Sequence, residues 1–227
     1  MWLINSSVGR KLVMSISGLF LILFVTFHAI MNMVAIFSED GYDAICEFLG
    51  ANWYALAATA VLAGGFMVHI VYAFILTAQN RRARGNEEYA VSERPKTVEW
   101  ASQNMLVLGL VVLGFLGVHL VHFWAKMQLP EILGEHPAGG VELIKETFSS
   151  LINVGMYLVW FVALWFHLTH GFWSALQSIG WNNQVWFERW RFIGNVWATV
   201  VMLMYTVTVL WFYVKDGLGI DICSFCC

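Results

Sequence analysis

LVMSISGLFLILFVTFHAIMNMVAIF, residues 12–37, runs for 26 residues without an aspartate, glutamate, lysine or arginine, and it carries one histidine, His28. A bilayer core about 30 Å thick needs about 20 apolar residues in a helix. The stretch reads as a membrane-crossing helix that takes an ionisable ring with it. Four further stretches read the same way, at about 51–80, 100–125, 147–179 and 192–214. The fourth apolar run continues to Phe187, but polar Gly180 to Gln184 ends its helix first. Between the helices, acidic 38–50, basic 81–99 and the Pro- and Gly-containing 126–146 read as loops. Of the 227 residues, 59% are hydrophobic and 12% charged, against roughly 25% charged in a soluble domain. Too little polar surface remains to face water, so lipid is the expected outer solvent. The expectation is an all-α, single-domain chain, 1–227, forming an integral membrane bundle of five transmembrane helices.

The basic segment Met1 to Lys11 ahead of the first run resembles a signal peptide. The run is too long, and no small-residue cleavage site follows, so a retained first helix is expected. Lysine and arginine placement then sets the topology. An N-terminus in the cytoplasm puts Arg10, Lys11, Arg81, Arg82, Arg84, Arg94, Lys96, Arg189 and Arg191 on the inner side, and only Lys126, Lys145 and Lys215 outside. A net charge of −3 argues against a nucleic-acid partner. Three of the four cysteines, Cys223, Cys226 and Cys227, lie in the tail and Cys46 in the first outer segment. They form no zinc-type pair and no CxxCH haem attachment. Oxidation among them is conceivable on the outer side.

Six of the seven histidines fall inside expected membrane helices: His28, His69, His119, His122, His167 and His170. Ionisable groups in a bilayer are costly and mark function by default. Any one of them could be a hydrogen-bonded bridge between helices; six over four consecutive helices call for a common purpose. Depth sorts them. At about 1.5 Å per residue, His28 lies about 25 Å and His119 about 28 Å from the inner edge. His69 and His170 lie about 18 Å and 16 Å from it. Two facing imidazoles at one depth suit a six-coordinate haem, and two depths imply two haems stacked across the membrane. A zinc or copper site would cluster its ligands at one level. His122, about 33 Å out, and His167, between the two levels, read as hydrogen-bonding side chains. Gly18, Gly64, Gly65, Gly109, Gly114, Gly117 and Gly171 would let a flat ring or a neighbouring helix come close.

Ser17-Gly18-Leu19-Phe20-Leu21 with His28 following, His69 with basic residues twelve positions on, Gly117-Val118-His119-Leu120, His170-Gly171 and Tyr213-Val214-Lys215-Asp216-Gly217-Leu218 together resemble one family. It is the single-chain, five-helix, dihaem cytochrome b subunit of succinate:quinone oxidoreductases, that is, of succinate dehydrogenase or quinol:fumarate reductase. The likeness covers nearly the whole chain and rests on order and spacing. It implies haem b ligands one per helix: His28 with His119 for the outer iron, His69 with His170 for the inner. Gly171, next in the chain, selects His170 over His167. It also implies a flavoprotein and an iron–sulfur subunit on the cytoplasmic face, in a bacterial inner membrane, with the heterotrimers able to pair as dimers. Electrons would run through both haems to or from a quinone such as menaquinone, in the respiratory chain and tricarboxylic acid cycle. Some fumarate reductases carry a glutamate two residues before the fourth ligand; here that position is Leu168.

The chain holds no flavin or nucleotide motif and no cysteine set for an iron–sulfur cluster, so it would be an electron-transferring, quinone-reactive subunit and no dehydrogenase by itself. Quinol oxidation releases protons that a carboxylate can accept. The family uses an acidic residue in the outer segment between the first two helices, which points to Glu47, nearest the second helix, ahead of Asp43. Two rivals remain at this stage: a dihaem cytochrome b of a hydrogenase or formate dehydrogenase, and a haem-free channel, transporter or anchor.

Overall fold

The computed structural model describes residues 6–50, 53–84, 100–181 and 183–220. Arg94, Lys96, Asp221 and the tail cysteines lie outside them. The chain is all-helical among the described residues, and five helices are long and apolar enough to cross a membrane. We number the helices α1 (Ser7–Phe37), α2 (Glu39–Gly50), α3 (Trp53–Arg84), α4 (Met105–Leu133), α5 (Gly140–Phe148), α6 (Leu151–Ser178) and α7 (Trp186–Phe212). A single turn, Trp100–Gln103, precedes α4. Four of the five spanning helices run past their apolar stretch at one end, and α6 lies within its own, because a backbone ladder stops at a cap and not where hydropathy falls. Ser6 caps α1 five residues ahead of Lys11, its Oγ accepting the Gly9 N–H at 2.9 Å.

Two segments expected as loops are partly helical. Residues 39–50 form α2, joined to α1 through Ser38 alone. Ser38 ends one helix and starts the other: its N–H bonds Val34 O at 2.8 Å, and its Oγ accepts the Gly41 N–H at 3.0 Å. Glu39 and Asp40 then sit in the first turn, where carboxylates suit a helix N-terminus. Segment 126–146 holds the last turns of α4 and most of α5. Pro130 is inside α4, and its missing N–H would strand the Lys126 carbonyl. The Ala138 N–H, returning after the left-handed Gly134 (φ +75°), bonds that carbonyl at 3.1 Å.

The core lies where α6 meets α1, α4 and α7. Val154, Tyr157, Phe161, Leu168 and Ala175 repeat at helical spacing and are buried on α6. Gly194, Ala198, Val201, Val209 and Phe212 do the same on α7. Polar ties cross between helices: Trp197 Nε1 donates to Thr26 Oγ1 at 3.1 Å, Tyr205 Oη to Val25 O at 2.8 Å and Trp165 Nε1 to Thr199 Oγ1 at 3.0 Å. Helix α3 packs chiefly on α1, and of its described residues only Ala55 is fully buried. Leu23, Phe37, Ile152 and Phe192 are each 70% exposed or more. An outer surface this apolar fits lipid better than water.

One end of the bundle is closed by α2 and α5. There each lysine named in the topology argument meets a glutamate: Lys126 with Glu146 at 2.8 Å, Lys145 with Glu39 at 2.7 Å and Lys215 with Glu39 at 2.6 Å. The two lysines hold the Glu39 carboxyl below the usual glutamate range. We call this the capped end. The opposite, N-terminal end carries Arg10, Lys11, Arg81, Arg82, Arg84, Arg189 and Arg191.

Candidate functional site

Four helices bring four histidines together in two pairs. His28 on α1 faces His119 on α4, with ring centres 5.9 Å apart and planes at 82°. His69 on α3 faces His167 on α6, with ring centres 6.3 Å apart and planes at 69°. The first pair lies toward the capped end, the second toward the N-terminal end, as the depths required. A metal–imidazole bond of about 2.0 Å and a ring radius of about 1.1 Å put the centres of two trans imidazoles roughly 6.2 Å apart. The centres of both pairs fall near that spacing. Among the described residues no three His, Cys, Asp or Glu side chains gather as a metal cluster.

His170 was expected opposite His69; the ring contact of His69 is with His167, one turn nearer the capped end. Residues three apart on a helix share a face, and His170 packs edge-on against Trp173, ring centres 4.8 Å apart. A Cβ at Gly171, the glycine that favoured His170, would meet nothing within 4 Å, so the space beside it is open. The glycines that do lie against the rings are on other helices. A Cβ at Gly18 would come 3.3 Å from His69 Cε1, and one at Gly109 3.7 Å from His167 Cε1. A glycine beside a ligand in the chain says nothing of who approaches the ligand in space.

Hydrogen bonds behind the rings bear on which nitrogen is free. Ser17 Oγ donates to Met14 O at 3.0 Å. It also stands 3.4 Å from His69 Nδ1, a pairing whose direction follows the tautomer of the ring. Tyr157 Oη stands 3.5 Å from His119 Nδ1 and 3.2 Å from His122 Nδ1. His122 is thus a hydrogen-bonding side chain as expected, with a tyrosine as its partner. It sits in a π-helical turn, Leu120–Trp124, that follows His119 directly; such turns recur at functional sites. Trp160, with its ring centre 5.5 Å from that of His119, keeps a buried Nε1–H without an acceptor among the described residues. His167 Nδ1 is likewise buried without a partner there.

The two carboxylates expected at a quinone site part company on α2. Asp43 Oδ1 accepts the Val141 N–H at 2.9 Å. It caps the first turn of α5 from a neighbouring helix, because Gly139 at the N-cap has no side chain to do so. Glu47, one turn further along α2, is exposed. Beside Asp43, Cys46 packs against Gly140, where a Cβ would collide with its Sγ. Burial pushes the Cys46 thiol up to about 11, so it is a protonated packing group and a poor nucleophile. Its expected partners in a disulfide lie outside the described residues.

No family model matches this chain, and the comparisons with curated proteins and with solved structures give no match.

Proposed function

We propose that this chain is a multi-pass membrane cytochrome b subunit that carries two b-type haems, one between His28 and His119 and one between His69 and His167. The observation that carries the reading is the pair of cross-bundle imidazole contacts, at 5.9 Å and 6.3 Å, on two levels of one helical bundle. Ser17 supports it by pairing with His69 Nδ1, and Gly18 and Gly109 support it by leaving room beside the rings. Haem supplies a one-electron carrier at each level. The protein holds it axially, excludes water and sets its potential through what stands behind each ligand.

The N-terminal end faces the cytoplasm in this reading. Its cations are numerous, whereas the three lysines at the capped end all pair with glutamates, Lys145 and Lys215 sharing Glu39. On the cytoplasmic side would dock the flavoprotein and iron–sulfur subunits of a succinate dehydrogenase or fumarate reductase. Electrons would pass from the His69/His167 level to the His28/His119 level and exchange with menaquinone or a related quinone near the capped end. Glu47 is the proton-accepting carboxylate we assign there, since Asp43 is occupied as a helix cap. With His167 as ligand, the position two residues earlier is Trp165. It carries no carboxylate, so the protein has no glutamate there to move protons across the membrane.

Purification from native membrane tests the assignment. The expected result is a chain with the spectrum of low-spin, bis-histidine haem that copurifies with a flavoprotein and an iron–sulfur protein. Haem without those partners moves the chain to another quinone-linked cytochrome b, such as that of a hydrogenase or formate dehydrogenase. A colourless protein returns it to a haem-free anchor or transporter.

A further inference from the structure

Tyr157 is 4% exposed and lies between two histidines, with its ring stacked on that of His122 at 17° and 5.9 Å. Its Oη is 3.2 Å from His122 Nδ1 and 3.5 Å from His119 Nδ1. A phenol has one proton to give and can also accept. A neutral imidazole Nδ1 either donates or accepts. The row Nδ1···Oη···Nδ1 therefore has two self-consistent arrangements. In one, His122 donates to Tyr157 and Tyr157 donates to His119. The His119 proton is then on Nε2, and that nitrogen cannot bind a metal. In the other, His119 donates to Tyr157 and Tyr157 donates to His122. The His119 proton is then on Nδ1 and Nε2 is free. Only the second is compatible with His119 as an axial ligand, and it needs an acceptor on the far side of the hydroxyl. His122 is that acceptor, and its bond to Tyr157 is the shorter of the two.

We propose that Tyr157 and His122 form a positioning relay that holds His119 in its metal-binding tautomer and lowers the reduction potential of the haem it shares with His28. The inference rests on the haem reading above. An Nδ1–H that donates to a strong acceptor makes the other ring nitrogen a better electron donor, which favours the oxidised metal. The hydroxyl is strengthened as an acceptor because its own proton is drawn off by His122. No second histidine stands behind Ser17, the partner of His69; its hydroxyl gives its proton to the Met14 carbonyl. The relay is thus particular to one of the two levels. Tyr157 and His122 touch no haem iron; they act through His119.

Potentiometric titration of the haem bands tests this in the full complex, or in the chain alone if it purifies with both haems. The haem at issue is the one missing from His28→Ala. Tyr157→Phe should keep two haems and raise the potential of that haem alone, by about a tenfold change in the oxidised-to-reduced ratio, which is about 59 mV for a one-electron couple. His122→Phe, on the other side of the hydroxyl, should move the same haem the same way. His122→Gln, whose amide oxygen can still accept the tyrosine proton, should restore the original value. Unchanged potentials in Tyr157→Phe, equal shifts at both haems, or a shift in Tyr157→Phe with none in His122→Phe would overturn the relay. A wild-type preparation without haem would instead remove the reading beneath it.

Discussion

The two histidine pairs of this bundle offer nearly the same spacing to a metal, 5.9 Å and 6.3 Å, yet they are backed differently. At the capped end, His119 leans on a buried tyrosine that is itself held by a second histidine, and aromatic rings of Phe123, Tyr157 and Trp160 surround it. Toward the N-terminal end, His69 pairs with Ser17 and the Met14 backbone, His167 Nδ1 has no partner among the described residues, and two glycines make the space. The first site is built by filling and the second by leaving room. If haem sits at both levels as proposed, equal ligands with unequal surroundings would give the two unequal potentials.

The largest effects should come from the ligands themselves. His28→Ala or His119→Ala should remove one haem, and His69→Ala or His167→Ala the other, as read by the haem-to-protein ratio. His170→Ala should leave both. Next in size are changes to the room beside the rings. Gly18→Val places two methyl groups where a single Cβ already approaches His69 to 3.3 Å. It should deplete the haem at that level and spare the one at His28. Ser17→Ala comes third. It should retain both haems and shift only the potential of the one absent from His69→Ala, a separate result from the Tyr157 shift. If Ser17→Ala moved both potentials, the levels would not be independent and the contrast would fail.

The five spans and the places of the histidines along them were legible in the sequence because they depend on one-dimensional quantities: run length, charge and rise per residue. The capping of the bundle was not. Helices α2 and α5 are too short and too polar to register as apolar runs, and their logic is three-dimensional. Ser38 serves two helices, Asp43 caps α5 across a gap of 98 residues, and Ala138 replaces a hydrogen bond lost to Pro130. The contact of His69 with His167 was hidden for a related reason. Depth separated His167 from His170 only weakly, and Gly171 could not be matched to a ring without the packing. The informative glycines, Gly18 and Gly109, were in hand but could not be assigned to a particular ring without the packing.

Smaller effects are expected where the ends are tied. Asp43→Ala removes the cap of α5 and should cost about 1 kcal/mol of stability, seen as a lower melting temperature with both haems in place. Glu47→Gln should keep both haems and electron delivery to an artificial acceptor while lowering quinone activity. The smallest effect is at Glu39. Lys145 and Lys215 depress its carboxyl, so its contribution is complete above the ordinary glutamate value and is lost as pH falls through the lowered one. Glu39→Gln should therefore melt earlier than the parent at neutral pH, with the gap closing in acid.

The most direct test of the account is the haem content of the purified chain, by pyridine haemochrome against protein mass, in the parent, His167→Ala and His170→Ala proteins. Two haems in the parent, one in His167→Ala and two in His170→Ala are predicted. One haem or none in the parent, or a loss confined to His170→Ala, would contradict it.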